Sequence, residues 1–171
     1  MKRMIGLLCC GLILGSIATA TSIRKLNFRQ LVDESELVIY GRVLYTHSYL
    51  MPSRGWVLTD TRIEVLSPIK GRVSSVVTVT ELGGVVGDIG MAVPGTARFE
   101  RGEEAVVFLK NVGGKWRTAG LIQGKFAVVD EGGEKIAIPA VSMDDGRNRI
   151  PLTELLSRIS QMERIRRGQV R

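Results

Sequence analysis

His47 stands between Tyr45 and Tyr49, and the three alternate along a stretch that reads as β-strand. Successive side chains of a strand point to opposite faces, so all three rings share one face. Two phenols and an imidazole there can hold a sugar ring or a peptide by stacking and hydroxyl contacts. An ordinary sheet edge carries the same pattern, because strands favour tyrosine. His47 is the only histidine in the chain. Tetrahedral zinc draws on His and Cys above all, so no metal site and no cofactor is expected.

A second candidate is the segment Gly83–Ala97, with glycines at 83, 84, 87, 90 and 95 and a single acid, Asp88. Connections this long are usually either functional or mobile. Val85, Val86, Ile89, Met91 and Val93 make this one apolar. A phosphate-binding loop needs Gly-Lys-Ser/Thr opening a helix, and that motif and the dinucleotide fingerprint are both absent. The segment is expected to bind a partner or to fold over one end of the domain. The candidate contact residues are therefore Tyr45, His47, Tyr49, Val85, Val86, Asp88, Ile89 and Met91.

Other constellations read as structural. Asp144-Asp145-Gly146-Arg147-Asn148 is rich in oxygen ligands but lacks the alternating acids and distal glutamate of a calcium loop. A turn before the last helix is expected there. Asp60, Arg62 and Glu64 read as the solvated outer face of a strand. No serine lies in a Gly-x-Ser-x-Gly elbow or a Ser-x-x-Lys motif, and no catalytic residue is assigned.

The elements that must position these residues are mostly strands. A helix is expected over Ile23–Ser35, with Asn27 as its cap. Strands are expected at Leu37–Tyr49, Val57–Ser67, Val73–Leu82, Glu104–Lys110, Trp116–Leu121, Lys125–Asp130 and Lys135–Ile138. In the second, Val57, Thr59, Thr61, Ile63 and Val65 alternate with Leu58, Asp60, Arg62, Glu64 and Leu66, the pattern of a half-buried strand. Gly41 marks a bulge or bend in the first. Pro68 and Lys70-Gly71 should end the second, and Gly113-Gly114 and Gly132-Gly133 mark hairpin turns. Leu152, Leu155, Leu156, Ile159 and Met162 then follow the spacing of an amphipathic helix, capped at Asn148 or Thr153. Together these predict a mainly β domain over 21–150: a small, curved antiparallel sheet closed into an oligomer-binding-type barrel, followed by a helix and basic tail over 151–171.

The first twenty residues have the composition of a leader. Met1-Lys2-Arg3 is basic, Met4 to Ile17 is apolar and uncharged, and Ala18-Thr19-Ala20 offers a signal-peptidase site. The apolar run is short for a membrane span. Cleavage after Ala20 is expected, giving a secreted or periplasmic protein with no transmembrane span. Both cysteines, Cys9 and Cys10, fall in that leader, so no disulfide is expected and packing alone must hold the domain. Of 24 basic residues, Lys2 and Arg3 lie in the leader, leaving 22 against 17 acids, formally +5. That balance favours anionic neighbours. An extracytoplasmic protein or glycan is the expected partner, and nucleic acid is not. Arg164, Arg166, Arg167 and Arg171 either complement the carbonyl end of the helix or make weak, salt-sensitive contact with anionic envelope material.

Ser35-Glu36-Leu37-Val38-Ile39-Tyr40-Gly41-Arg42-Val43 resembles the opening strand of a family of exported, largely uncharacterised bacterial β-proteins. Ile69-Lys70-Gly71, Gly83-Gly84, Val93-Pro94-Gly95, Phe99, Gly102-Glu103, Val106-Val107-Phe108-Leu109 and Gln123-Gly124-Lys125-Phe126 continue that pattern over most of residues 30 to 130. The order also faintly resembles the netrin-like modules of tissue inhibitors of metalloproteinases, which have an oligomer-binding-type barrel. Those inhibitors present an amino-terminal cysteine to the protease zinc, whereas cleavage here would expose Thr21. The resemblance implies the barrel and carries over no inhibitory residue. The function expected is an exported, non-enzymatic binding or accessory module. An inhibitor of an extracellular protease and a small hydrolase using His47 are the alternatives.

Overall fold

The computed structural model describes residues 24–169. Residues 1–20, where a leader is expected, with Cys9 and Cys10, and also Thr21, Ile23 and Arg171 lie outside the described residues. Helix α1 runs Phe28–Glu34, shorter than the spacing predicts. Asn27 caps it as expected: its side chain accepts from the Gln30 amide (2.8 Å), and the Gln30 side chain accepts from the Asn27 amide (3.0 Å). This reciprocal capping box satisfies two donors that the helix itself cannot.

Strands β1 (Leu37–Met51) and β2 (Trp56–Lys70) form a long antiparallel ribbon. Its register shifts between Tyr40 and Gly41, where the irregularity was expected. A Cβ on Gly41 would lie 2.5 Å from the Glu64 carbonyl oxygen and 2.6 Å from Ile63 Cγ2. Glycine is therefore required there for close approach, not for a special dihedral. Pro68 does not end β2. It pairs opposite Ile39 at another register shift, beyond the stretch that pairs with the next strand, and proline is tolerated at such edges and bulges. The alternation in β2 holds except at Leu58, which is buried on the outer face.

Strand β3 spans Val76–Leu82, so Val73–Ser75 precede the strand instead of belonging to it. Gly83–Ala97 is not a continuous loop. It contains a small hairpin, β4 (Gly84–Val86) and β5 (Ile89–Met91), turning at Gly87-Asp88. Two-residue turns of this kind want a positive φ, and Gly87 has φ 56°. Then follow β6 (Glu104–Val112), β7 (Lys115–Thr118), a 3-10 turn at Leu121–Gly124, β8 (Lys125–Glu131), β9 (Glu134–Pro139) and β10 (Ile150–Pro151). The strand expected to reach Leu121 stops at Thr118, because Gly120 and Leu121 both take left-handed backbone.

The strands order as β1-β2-β3-β7-β6-β8-β9-β10, and β1 also pairs with β6. All pairings are antiparallel except β3 with β7, which is parallel at Val79 and Trp116. The sheet is thus mixed, where a purely antiparallel one was expected. Having partners on both edges, β1 is buried on both faces over Leu37–Tyr40, which accounts for its unbroken apolar run. Val38, Phe108, Phe126 and Ala137 pack with Phe28, Leu31, Leu155 and Ile159 on one side. Leu37, Ile39, Ile63, Val79, Val107 and Leu109 pack on the other.

Helix α2 (Leu152–Gln169) emerges directly from β10. Neither Asn148 nor Thr153 precedes its first residue, so neither caps it; Pro151 holds that place. Leu155 and Ile159 are fully buried, as the periodicity requires. Near its far end Glu163 is buried against Lys70 at 3.0 Å. The Lys70 ammonium also donates to the Val32 carbonyl (2.6 Å), tying β2, α1 and α2 together. Burial alone would raise the Glu163 carboxyl, but hydrogen bonds from Lys70 and Arg166 outweigh that and lower it. Arg166 is thereby engaged at 3.2 Å.

Candidate functional site

The β1–β2 ribbon has two chemically distinct faces near its tip. In register, Tyr45 lies opposite Arg62, His47 opposite Asp60 and Tyr49 opposite Leu58. Alternation turns this set to one face. The set between them, Thr46 opposite Thr61 and Ser48 opposite Thr59, turns to the other.

On the outer face the three expected ring residues share one side, and two of them touch. His47 and Tyr49 stack with ring centroids 6.3 Å apart and planes 18° from parallel. Tyr45 is 45% exposed, and the Arg62 guanidinium lies 5.7 Å from its ring centre while donating to its hydroxyl (3.2 Å). Lys115, delivered by β7, lies 5.6 Å from the Tyr49 ring and donates to its hydroxyl at 2.9 Å. That hydrogen bond raises the Lys115 ammonium pKa. At the ribbon tip Arg54 stacks over Trp56, 4.9 Å from the ring centre. Asp60, the acid opposite His47, accepts from the Thr80 hydroxyl (2.6 Å) and weakly from Tyr49 (3.4 Å). Arg62, exposed, and Asp60, half-buried, lie on the outer face as expected and stand beside the aromatic residues. A shallow depression of about 310 Å³, lined by Asp60, Thr78, Thr80 and Lys115, continues the row across β3.

The hairpin residues lie on the opposite face. Gly84 is pressed against Ser48 and Thr59, where no Cβ fits, and the Met91 sulfur accepts from the Val57 amide at 3.4 Å. Val85 and Ile89 point outward, 69% and 51% exposed, with Asp88 at the exposed turn. Val86 is half-buried. Beneath the hairpin is a cavity of about 430 Å³ floored by Glu81 and by Thr46, Thr59 and Thr61. The two groups of candidate residues thus form two sites, one on each side of the ribbon.

Glu81 was not singled out from the sequence. Its signal is the row Val77–Val79–Glu81, where an acid takes the third inward position of an otherwise apolar strand face. Burial raises its carboxyl pKa, and hydrogen bonding from Thr118 only partly offsets this. Arg62 and Lys115 join the aromatic row through cross-strand register and the β3–β7 contact, which no local pattern reveals. The calcium-like loop is a turn, as expected: Asp145 accepts from the Arg147 amide (3.0 Å) and guanidinium (2.9 Å), and Asp144 from the Phe28 amide (3.2 Å).

No protein-family model, no curated protein and no solved structure matches the chain. Among the described residues no helix is long and apolar enough to cross a membrane.

Proposed function

We propose that this protein is a non-enzymatic binding module that works outside the cytoplasm and grips an anionic polysaccharide on the outer face of its β1–β2 ribbon. The observation that carries this reading is the interleaving of rings and cations: Tyr45 with Arg62, Tyr49 with Lys115 and Trp56 with Arg54. Flat sugar faces pack on aromatic rings, while the cations meet carboxylate or sulfate groups. Because these cations rest on rings instead of carboxylates, little must be broken to admit a ligand. The depression across β3 extends the track to more than one sugar.

The fold reading that accompanies this is an oligomer-binding-type barrel. Its support is the cycle of pairings β1–β2–β3–β7–β6–β1 with a parallel β3–β7 contact. The basic, cysteine-free body after residue 20 and the leader composition support export.

The test is calorimetric titration with an oligogalacturonate, a neutral glucan oligomer of equal length and a single-stranded oligonucleotide. The oligogalacturonate should bind, more weakly as salt rises, and the glucan should not. Arg62→Ala combined with Lys115→Ala should weaken binding at least tenfold without changing the melting temperature by more than a few degrees. Tighter binding of the oligonucleotide would replace the glycan reading with a nucleic-acid one.

A further inference from the structure

On the other side of the ribbon, the cavity beneath the β4–β5 hairpin is lined by a buried acid, Glu81, that makes no ion pair among the described residues. Glu81 is 6% exposed. One carboxylate oxygen accepts from the Thr118 amide at 2.6 Å, and among the described residues Glu81 forms no ion pair. Arg117 and Lys110 reach it only as distant charges. A buried carboxylate is costly unless it is paired and hydrogen-bonded, and here Thr118 supplies hydrogen bonding without a charge. Glu81 lines a cavity together with Thr46, Thr59 and Thr61, with the apolar Met91, Ala97 and Phe99, and with Arg98, which is exposed to solvent. At about 430 Å³ the space lies within the range of small-ligand sites.

We infer that this cavity binds an alkylammonium group, its charge against Glu81 and the threonines and its carbon chain along Met91, Ala97 and Phe99. The competing cations fit less well. A divalent metal wants several oxygen ligands, and among the described residues no group of three His, Cys, Asp or Glu side chains comes together. A guanidinium favours a carboxylate with both oxygens free for a forked contact, but one oxygen of Glu81 is taken by Thr118. An ammonium is a compact point charge with three donors on a flexible apolar stem, which matches one free carboxylate edge at the end of an apolar slot. The shared chemistry covers a lysine side chain of another protein and a free amine. This site is independent of the glycan face, since its residues alternate away from Tyr45, His47 and Tyr49.

Titration of the purified protein at pH 8 with n-pentylammonium, 1-pentanol and Nα-acetyl-lysine methylamide tests it, followed by shifts of the Glu81, Met91 and Phe99 backbone amides in the nuclear magnetic resonance spectrum. Pentylammonium should bind at least tenfold more tightly than pentanol, and Glu81→Gln should abolish the difference. Acetyl-lysine methylamide binding as well as pentylammonium would point to a lysine side chain; binding of pentylammonium alone would point to a free amine. Equal binding of the alcohol, no binding of either, or an ammonium preference surviving Glu81→Gln would overturn the proposal. Should the variant not fold, the ammonium-to-alcohol ratio in the unaltered protein decides by itself.

Discussion

Glu81 and Glu104 are displaced in opposite directions, and each displacement makes stability depend on pH with its own sign. Burial raises Glu81 above its ordinary value of 4.5, so the folded state holds that proton longer than the unfolded one. Stability is then lost as pH rises past 4.5. Glu81→Gln keeps the shape and removes the charge, so its melting temperature should exceed that of the parent at pH 8 and match it at pH 4. A lower melting temperature at pH 8 would mean that Glu81 has a cationic partner after all. For Glu104 burial also pushes upward, but hydrogen bonds from Lys135, Tyr40 and Arg42 outweigh it and hold the carboxyl at about 2. Its stabilisation is present above 4.5 and disappears as pH falls towards 2. Thermal melts of Glu104→Gln should show lower stability at pH 7 and a shallower loss between pH 4.5 and 2 than the parent. Parallel acid limbs would contradict this assignment.

At the scale of elements, two contacts hold the β1–β2 ribbon in place. Gly41 allows β1 to bend over β2, and Gly41→Val would drive a side chain into the Glu64 carbonyl and Ile63. Overpacking of this kind costs about 1–3 kcal/mol, readable as a lower denaturant midpoint with unchanged slope; an unchanged midpoint would show that the strand can relax there. Lys70 binds Glu163 and the Val32 carbonyl out of water. Lys70→Met should destabilise by less than the roughly 3–5 kcal/mol of an unpaired buried charge, since it leaves the buried Glu163 carboxylate to the half-exposed Arg166, and adding Glu163→Leu should restore much of the loss. A single variant as stable as the parent would show the pair to be dispensable. Both positions were visible in the sequence as landmarks, Gly41 interrupting an apolar run and Lys70-Gly71 closing a strand. Their roles were not, because the contacts join residues far apart in the chain. Local spacing did locate Asn27 as a cap and the buried stripe Leu152–Leu155–Ile159. It missed the β4–β5 hairpin, whose strands are only three residues each and glycine-rich.

For the whole molecule, the β1–β2 ribbon separates an aromatic and cationic surface from a pocket lined by threonine hydroxyls, Glu81, Arg98 and apolar side chains. Strand alternation made half of this legible: Tyr45, His47 and Tyr49 had to share a face wherever β1 ran. What faced them did not follow from the sequence, since Arg62 and Lys115 arrive by pairing across β2 and β7. Nor did it follow that Gly83–Ala97 would pack on the reverse side. The central claim, that the outer face holds an anionic glycan, is tested most directly by recording amide shifts of the labelled protein during titration with oligogalacturonate. The amides of Tyr45, His47, Tyr49, Arg62 and Lys115 should move together and saturably, while those of β9 and α2 stay still. Shifts confined to β9, α2 or the arginines after Glu163, or no saturable shift at all, would contradict it.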